Sequence, residues 1–433
     1  MENDRTRRHA GETASPHRAR RQARHGVTAP TIALCTVLLV TTVVGCVAST
    51  DLRVTIVNTS STPDNQVYVM LTGNGDVHAG PVAVIDDAVR LDSLPAVAGT
   101  PHAYELTVGA GISAGLLWLS FGAPVSNNPR PDVNTSTTRF ANVELAFPGQ
   151  ADLTNVDQFS VPMELATTDA AGSVKQKTSY GAGTDCILRA IRDEMTQHGG
   201  NYDAAVKTSS GQFLRVVSPS HQSAAWPSMS PYLASMKGRT ITVKGHFGNN
   251  SYPAESGYYV YSGAFDPTSG ALTLTGTVAA TGADGSGGRA GRTFTATAAE
   301  LAASVYDQAG SYRVPGDPVP SRPPSPNDVY GSIYRDVISG FAWGYWGGRY
   351  GDDNTAFWGK PAFAAARPAG ESFVGYSTYS KVLWDFTTAY SMPFGEAYGS
   401  GGHPSPLLDI PAGTAGLRVT ILPDTTPGGC PAR

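Results

Sequence analysis

The chain has 433 residues with 49 glycines, 31 prolines and 15% charged side chains. Its length is open to two domains or to one large β architecture, and its composition fits a turn-rich β protein with a neutral, polar surface better than a helical bundle. Setting aside the seven arginines and three acids of the first 26 residues leaves 24 basic against 32 acidic residues, a balance that argues against nucleic acid as a partner.

Residues 1–50 read as an export signal. Arginines at positions 5, 7, 8, 18, 20, 21 and 24 precede a stretch, Ala29 to Thr50, that carries no charge. Its apolar part is short of the about 20 residues of a full span and ends in Val43-Val44-Gly45-Cys46, which resembles a bacterial lipobox. Processing there would make Cys46 the lipidated first residue of an extracellular, membrane-anchored bacterial lipoprotein with no other membrane contact. An uncleaved anchor and ordinary signal-peptidase release are the alternatives.

Apolar and β-branched runs at 53–58, 66–71, 115–122, 141–147 and 155–163 alternate with turn clusters such as STPDN and NNPRPDVN, and predict a β-sandwich or barrel domain over 51–180. At Asp185 the pattern changes. An acidic N-cap precedes CILRAIRDEMTQHGG, where Ile187, Leu188, Ile191 and Met195 have helical spacing. From there, strands (RTITVKGHF, SGYYVYSGAF, GALTLTGTV) mix with helices expected at about 298–308, 327–340 and 377–387, around a Pro-rich loop at 314–328. Together they predict a mixed α/β domain over 181–390. LRVTILP (417–423) echoes RVTIVN and predicts a last strand that completes the first domain within about 390–425, with 426–433 as a tail. An oxidising exterior favours a disulfide between Cys186 and Cys430, a pairing that sequence alone does not establish, and no metal site is indicated.

Two acids, Glu144 and Asp157, stand in strand-like runs. Strand alternation sets Asn142, Glu144 and Ala146 on one face and the core-like Val143, Leu145 and Phe147 on the other, so Glu144 points into a cleft or solvent. Asp157 shares its parity with Phe159 and Val161, which a bulge or an aromatic cleft floor would reconcile. A hairpin through PGQADLT would bring the two carboxylates to one face of adjacent strands. Such a pair suits glycoside hydrolysis, in which one carboxyl protonates the leaving oxygen and the other activates water. A solvated strand face is the bland alternative.

The order of these motifs resembles glycoside hydrolase family 64, secreted β-1,3-glucanases of the laminaripentaose-producing type with a thaumatin-like β-domain. VTIVNTS, QVYVMLTG, ISAGLLWLSFG, NPRPDVNTSTTRFANVELAF and DLTNVDQFSVPM carry it, and DCILRAIRDEM, RVVSPSH, NDVYGSIYRDV and YSKVLWDFTTAYSMPFGEAYG extend it over most of 52–425. The resemblance implies a mainly β protein, with a thaumatin-like domain and a mixed α/β domain flanking a wide groove. It implies an endo-type, inverting hydrolase of linear β-1,3-glucan, acting as a monomer without cofactor, with Glu144 as general acid, Asp157 as general base and Thr154 orienting base or sugar. The chain departs from the family pattern at Leu116 (usually Arg), Ala146 (Thr) and Asp152 (Asn), and Pro393-Phe394-Gly395-Glu396 replaces Pro-Tyr-Asp-Asp, with Glu396 a partial substitute that would contact substrate. These departures feed a rival reading, a glucan- or cell-wall-binding protein that has lost catalysis; a scaffold without a glycan role is weaker.

Three further features have competing readings. The run 341–359 holds seven aromatics in 19 residues, and Trp343 and Trp346 are candidates to stack on sugar rings, or else pack a loop onto the second domain. Asp352 and Asp353 lack the ligand number of a calcium site and read as a solvated turn. Ser218, Ser220 and His221 lack a nucleophile elbow, and His221 reads as structural.

Overall fold

The computed structural model describes residues 51–431 apart from 75–76, 80–81, 84–85, 247–257, 279–292, 307–310, 316–328, 358–362, 364–372 and 392–406. Cys46 and Glu396, and with them the lipid-anchor and Glu396 expectations, lie outside the described residues.

Alternation builds the first large sheet. In the strand Asp51–Asn58, Leu52, Val54 and Ile56 are fully buried while Asp51 and Arg53 face out. Its neighbours give a seven-stranded sheet in the order Val174–Ser179, Met163–Thr168, Gly416–Ile421, Asp51–Asn58, Ala103–Gly109, Val77–Ala79 and Val82–Ala83. The echo between the two ends of the chain is a direct pairing: Arg53 to Asn58 lie parallel to Gly416 to Ile421.

A second sheet has six strands in the order Leu408–Ile410, Gly149–Leu153, Arg139–Phe147, Ile112–Phe121, Val67–Asn74 and Val89–Arg90. Its buried side chains, among them Val69, Leu117, Leu119, Val143 and Leu145, join those of the first sheet in one hydrophobic core. Two smaller sheets follow: Gln158–Phe159, Gln212–Val217 and Val206–Ser209, then Thr240–His246, Tyr258–Phe265, Leu272–Val278 and Thr293–Ala296.

The helices begin close to where periodicity placed them. Thr184–Gln197 buries Ile187, Ile191 and Met195; its N-cap is Gly183 rather than Asp185, whose carboxylate instead accepts from the Cys186 and Thr426 amides. Ala298–Tyr306, Val329–Ala342 and Thr378–Trp384 answer the other three expectations. Among the described residues no helix is long and apolar enough to cross a membrane.

The aromatic run is core, which corrects the subsite candidates within it. Trp346 is fully buried and its Nε1 donates to Val337 O at 2.9 Å, and Trp343, 2% exposed, stacks on Phe363 at 5.5 Å between centroids. Rings so enclosed by Tyr345, Phe357, Phe363 and the helix Val329–Ala342 have no face left for a sugar. Asp352 and Asp353 are not a solvated turn either. Asp352 accepts from Arg239 and the Gly347 amide, both at 2.7 Å, and Asp353 pairs with Lys244 at 2.6 Å while capping Thr355.

The C-terminal segment is latched to the middle of the chain. Cys186 is bonded to Cys430, with their Cα atoms 5.3 Å apart, and Asp424 takes a two-pronged hydrogen bond from Arg139 (2.6 and 2.7 Å) plus one from the Thr184 hydroxyl (2.6 Å). Those donors hold the Asp424 carboxyl below the usual carboxylate range against an opposing cost of burial. Stabilisation from a lowered acid is present above its unfolded pKa and is lost as pH falls through the folded one. Asp424→Asn is therefore expected to cost about 1–2 kcal/mol in urea unfolding at pH 7, the low end because a third of this side chain meets solvent, and the difference from wild type should shrink as the pH falls below 4.

Candidate active site

The site is built on the strand Arg139–Phe147. Val143, Leu145 and Phe147 are at most 3% exposed in the core, which turns Asn142, Glu144 and Ala146 to the opposite face. On that face Glu144 stands opposite Leu116 of Ile112–Phe121 and Asp152 of Gly149–Leu153. Next to Leu116, Gly115 comes so near the neighbouring strand that a Cβ there would lie 2.7 Å from Leu145 O, a close approach only glycine allows.

The hairpin expectation needs correcting. The tight connection at Pro148 and Gly149 pairs Glu144 with Asp152, not Asp157. The chain leaves the sheet after Leu153, is pinned by Tyr390 N to Leu153 O (3.0 Å), Asn155 N to Tyr390 O (2.6 Å) and Tyr379 Oη to Asn155 O (2.6 Å), and re-enters a different sheet at Gln158. Asp157 is carried on this pinned segment and still reaches the same groove as Glu144.

That groove, a cleft of about 400 Å³, is floored by Leu116, Trp118, Phe140, Asn142 and Glu144, walled on one side by Arg130 to Asn134 and on the other by Asp157, Gln158 and His221. A second recess of about 390 Å³ continues from it on the far side of Glu144, lined by Ala114, Gly115, Ala146, Gln150, Asp152 and Leu407; Leu116, Arg130 and Glu144 border both. Glu144 thus stands where the two halves of an elongated trench meet.

A buried cation fixes the first wall. Arg215, 0% exposed, donates to Val133 O, Ser136 O (2.7 Å) and Thr138 O, and its guanidinium lies 4.5 Å from the Phe140 ring centroid. Burial pushes it down to about 10, so it stays charged at neutral pH and the three carbonyls remain bound.

The two acids differ in environment. Burial pushes the Glu144 carboxyl above its ordinary value, a hydrogen bond from the Thr154 hydroxyl opposes the rise, and the charge of Asp157 adds to it. Asp157, with 62% of its side chain exposed, is held by His221, whose Nε2 lies 2.8 Å from Oδ1.

His221, read in the sequence as a structural histidine, is the residue whose place beside Asp157 the sequence did not indicate. Ser220 donates to Val156 O (3.0 Å) and the Ser218 amide to Asp157 O (3.0 Å), so the SPSH segment docks on the backbone beside the base and presents the imidazole to it. Both serines are anchors, which disposes of a nucleophile reading. The only sequence signal was proximity of two motifs that nothing in the spacing joins.

Two carboxyls on one trench, one pushed towards its protonated form, are the kind of pair that glycoside hydrolysis requires. Residues 50–236 match the family model Glyco_hydro_64, described as Beta-1,3-glucanase, and the resemblance to glycoside hydrolase family 64 seen in the motifs is borne out. A crystal structure of a laminaripentaose-producing beta-1,3-glucanase in complex with laminaritetraose is similar over 87% of this chain and 99% of that one, at 18% identity and a TM-score of 0.55. A beta-1,3-glucanase domain (GH64) from Clostridium beijerinckii matches 86% of this chain and 98% of its own, at 11% identity and a TM-score of 0.51. Identities this low show a shared fold, and they agree with the mainly β architecture expected. No curated protein sequence matches the chain. The matched family and these similar structures are β-1,3-glucanases, and hence glycoside hydrolases.

A hydroxyl that donates to Glu144 favours its ionised form. Thr154→Val should therefore move the titration of the Glu144 carboxyl carbon, followed by NMR, to higher pH; a shift to lower pH or none would show that Thr154 does not bond Glu144.

Proposed function

We propose that this protein hydrolyses linear β-1,3-glucan with inversion at the anomeric carbon, Glu144 acting as general acid and Asp157 as general base. The observation that carries this reading is the shared trench, in which burial and the Asp157 charge favour a protonated Glu144 while Asp157 is open to water. A glucan chain lying along the two recesses would present a glycosidic oxygen to Glu144, which gives up its proton as the bond to the leaving sugar breaks. Asp157 takes a proton from a water that attacks the opposite face of the ring. His221 fixes the rotamer of the base, and Thr154 that of the acid. Endo action fits a trench that continues on both sides of Glu144.

A second reading, glucan binding without turnover, draws on Leu116 and Ala146, apolar side chains beside Glu144. Reducing-sugar release from a soluble linear β-1,3-glucan separates the two. Wild type should release sugar, first as the α-anomer by NMR, and Glu144→Gln and Asp157→Asn should each lower kcat by roughly 10²–10⁴-fold. His221→Gln should lower it by on the order of tenfold through misplacement of the base. Binding without release by wild type and variants alike would leave the second reading.

The Val-Val-Gly-Cys46 ending further supports a protein tethered outside the cell by acyl chains on Cys46. Palmitate labelling of the expressed full chain should be abolished in Cys46→Ser.

A further inference from the structure

Outside the proposed acid and base, two carboxyls line the trench, Asp132, exposed on the wall of the first recess, and Asp152, buried in the second. Asp152 stands directly across the strand pair from Glu144, so their Cβ atoms are about 5 Å apart on one face. It is 5% exposed, and its Oδ1 is buried without a hydrogen-bond partner among the described residues. Both side chains border the same recess.

We propose that Asp152 is a positioning residue for Glu144: the two carboxyls form a dyad in which each holds its own proton, and Asp152 hands its proton to Glu144 once Glu144 has given its own to the leaving sugar. The inference rests on the reading of Glu144 as the general acid.

Two ionised carboxylates at this range, one of them buried and the other at the open side of the recess, repel each other, so the pair holds its protons more readily than either acid alone. Burial pushes Asp152 well above its ordinary value and the Glu144 charge pushes it further. The unpartnered Oδ1 fits a group waiting to bond across the strands. The other charged groups nearby do not cancel this. Arg130, from the loop above the recess, is exposed and hydrated; Asp157 lies on the far side of Glu144 and adds repulsion; Asp409, on the edge strand Leu408–Ile410, accepts from Gln150 at 3.2 Å at the surface.

The proton count closes over a turnover. Glu144 loses its proton to the glycosidic oxygen, and Asp157 takes one from the attacking water. Asp152 then passes its proton to the Glu144 carboxylate and regains one from water in the recess, while Asp157 releases its own to solvent. An asparagine in the same place would donate a hydrogen bond but have no proton to give.

Asp152→Asn preserves shape and neutrality and tests the dyad in two ways. Infrared difference titration of the full chain between pH 4 and 9 should show two protonated-carboxyl C=O bands in wild type and the loss of one in the variant. In hydrolysis, the ratio of variant to wild-type kcat/KM should fall as pH rises, by roughly tenfold between pH 5 and 8, because the variant's alkaline limb reflects a single ionisation. A stability readout guards against trivial misfolding. A raised acid makes folding take up a proton above pH 4, so stability is lost as pH rises towards the folded pKa. The variant's Tm should therefore gain on wild type between pH 4 and 8. Infrared spectra identical in both proteins, or a constant activity ratio, would overturn the dyad. Absence of any hydrolysis by wild type would instead overturn the proposed function, with the infrared bands still reporting whether both carboxyls hold a proton.

Discussion

The site depends on one constraint, the anchoring of Val143, Leu145 and Phe147 in the core between the two large sheets. With three large side chains committed inward, strand parity leaves Glu144 no other direction than the trench. A slip of one residue would bury the carboxyl and expose the three apolar groups, at a cost of about 1.5–3 kcal/mol for each of them. The orientation of Glu144 is thus fixed by residues on the opposite face of its strand, buried in the core. The same lock brings Asp152 beside it, because the short hairpin at Pro148 and Gly149 sets the register.

Around this rigid strand the remaining parts come from distant sequence and are held by polar contacts. Asp157 rides on a segment pinned by Tyr379 and Tyr390; His221 reaches it through Ser218 and Ser220; and the opposite wall hangs on Arg215. Arg139, at the start of the Glu144 strand, bonds Asp424 and Ser160 O and so ties that strand to the C-terminal latch. The pattern is consistent in physical terms. Glu144, whose carboxyl is pushed above its ordinary value, sits on the least deformable element, and the exposed Asp157 sits on a connection at the surface.

Much of the architecture was legible because it follows from local period. The 141–147 alternation, the helix begun near 184 and the return of the last strand beside the first all rest on spacing that a sequence displays. What was not legible depends on contacts between remote segments. In the register of the hairpin, position 157 would stand opposite Arg139, five residues away from Glu144, so no pairing scheme read from the strands alone could bring the two acids together. They meet because the chain leaves the sheet after Leu153. The partner of His221 was hidden for the same reason: it is set by contacts of Ser218 and Ser220 to the backbone that no spacing encodes. Trp343 and Trp346 erred in the other direction, since aromatic density among glycines reads the same whether the rings face a ligand or a helix.

With Trp343 and Trp346 enclosed in the core, the groove has little aromatic surface of its own. Of the described groove residues, Trp118 and Phe140 supply aromatic surface, and both are largely enclosed, at 6% and 1% exposure, in a small cluster with Met70, Val125, Val133 and Val217. They shape the floor more than they offer a stacking face. The accessible chemistry there is polar: Asn134 and Arg130 on one wall, Asn142 on the floor, Gln158 and His221 opposite. Binding through such groups relies on hydrogen bonds to hydroxyls, each worth little net in water but demanding in geometry. On the proposed reading a trench of this kind gains selectivity from where its walls stand, and the buried Arg215, which holds one wall through three carbonyls, then matters as much as the side chains that line the groove.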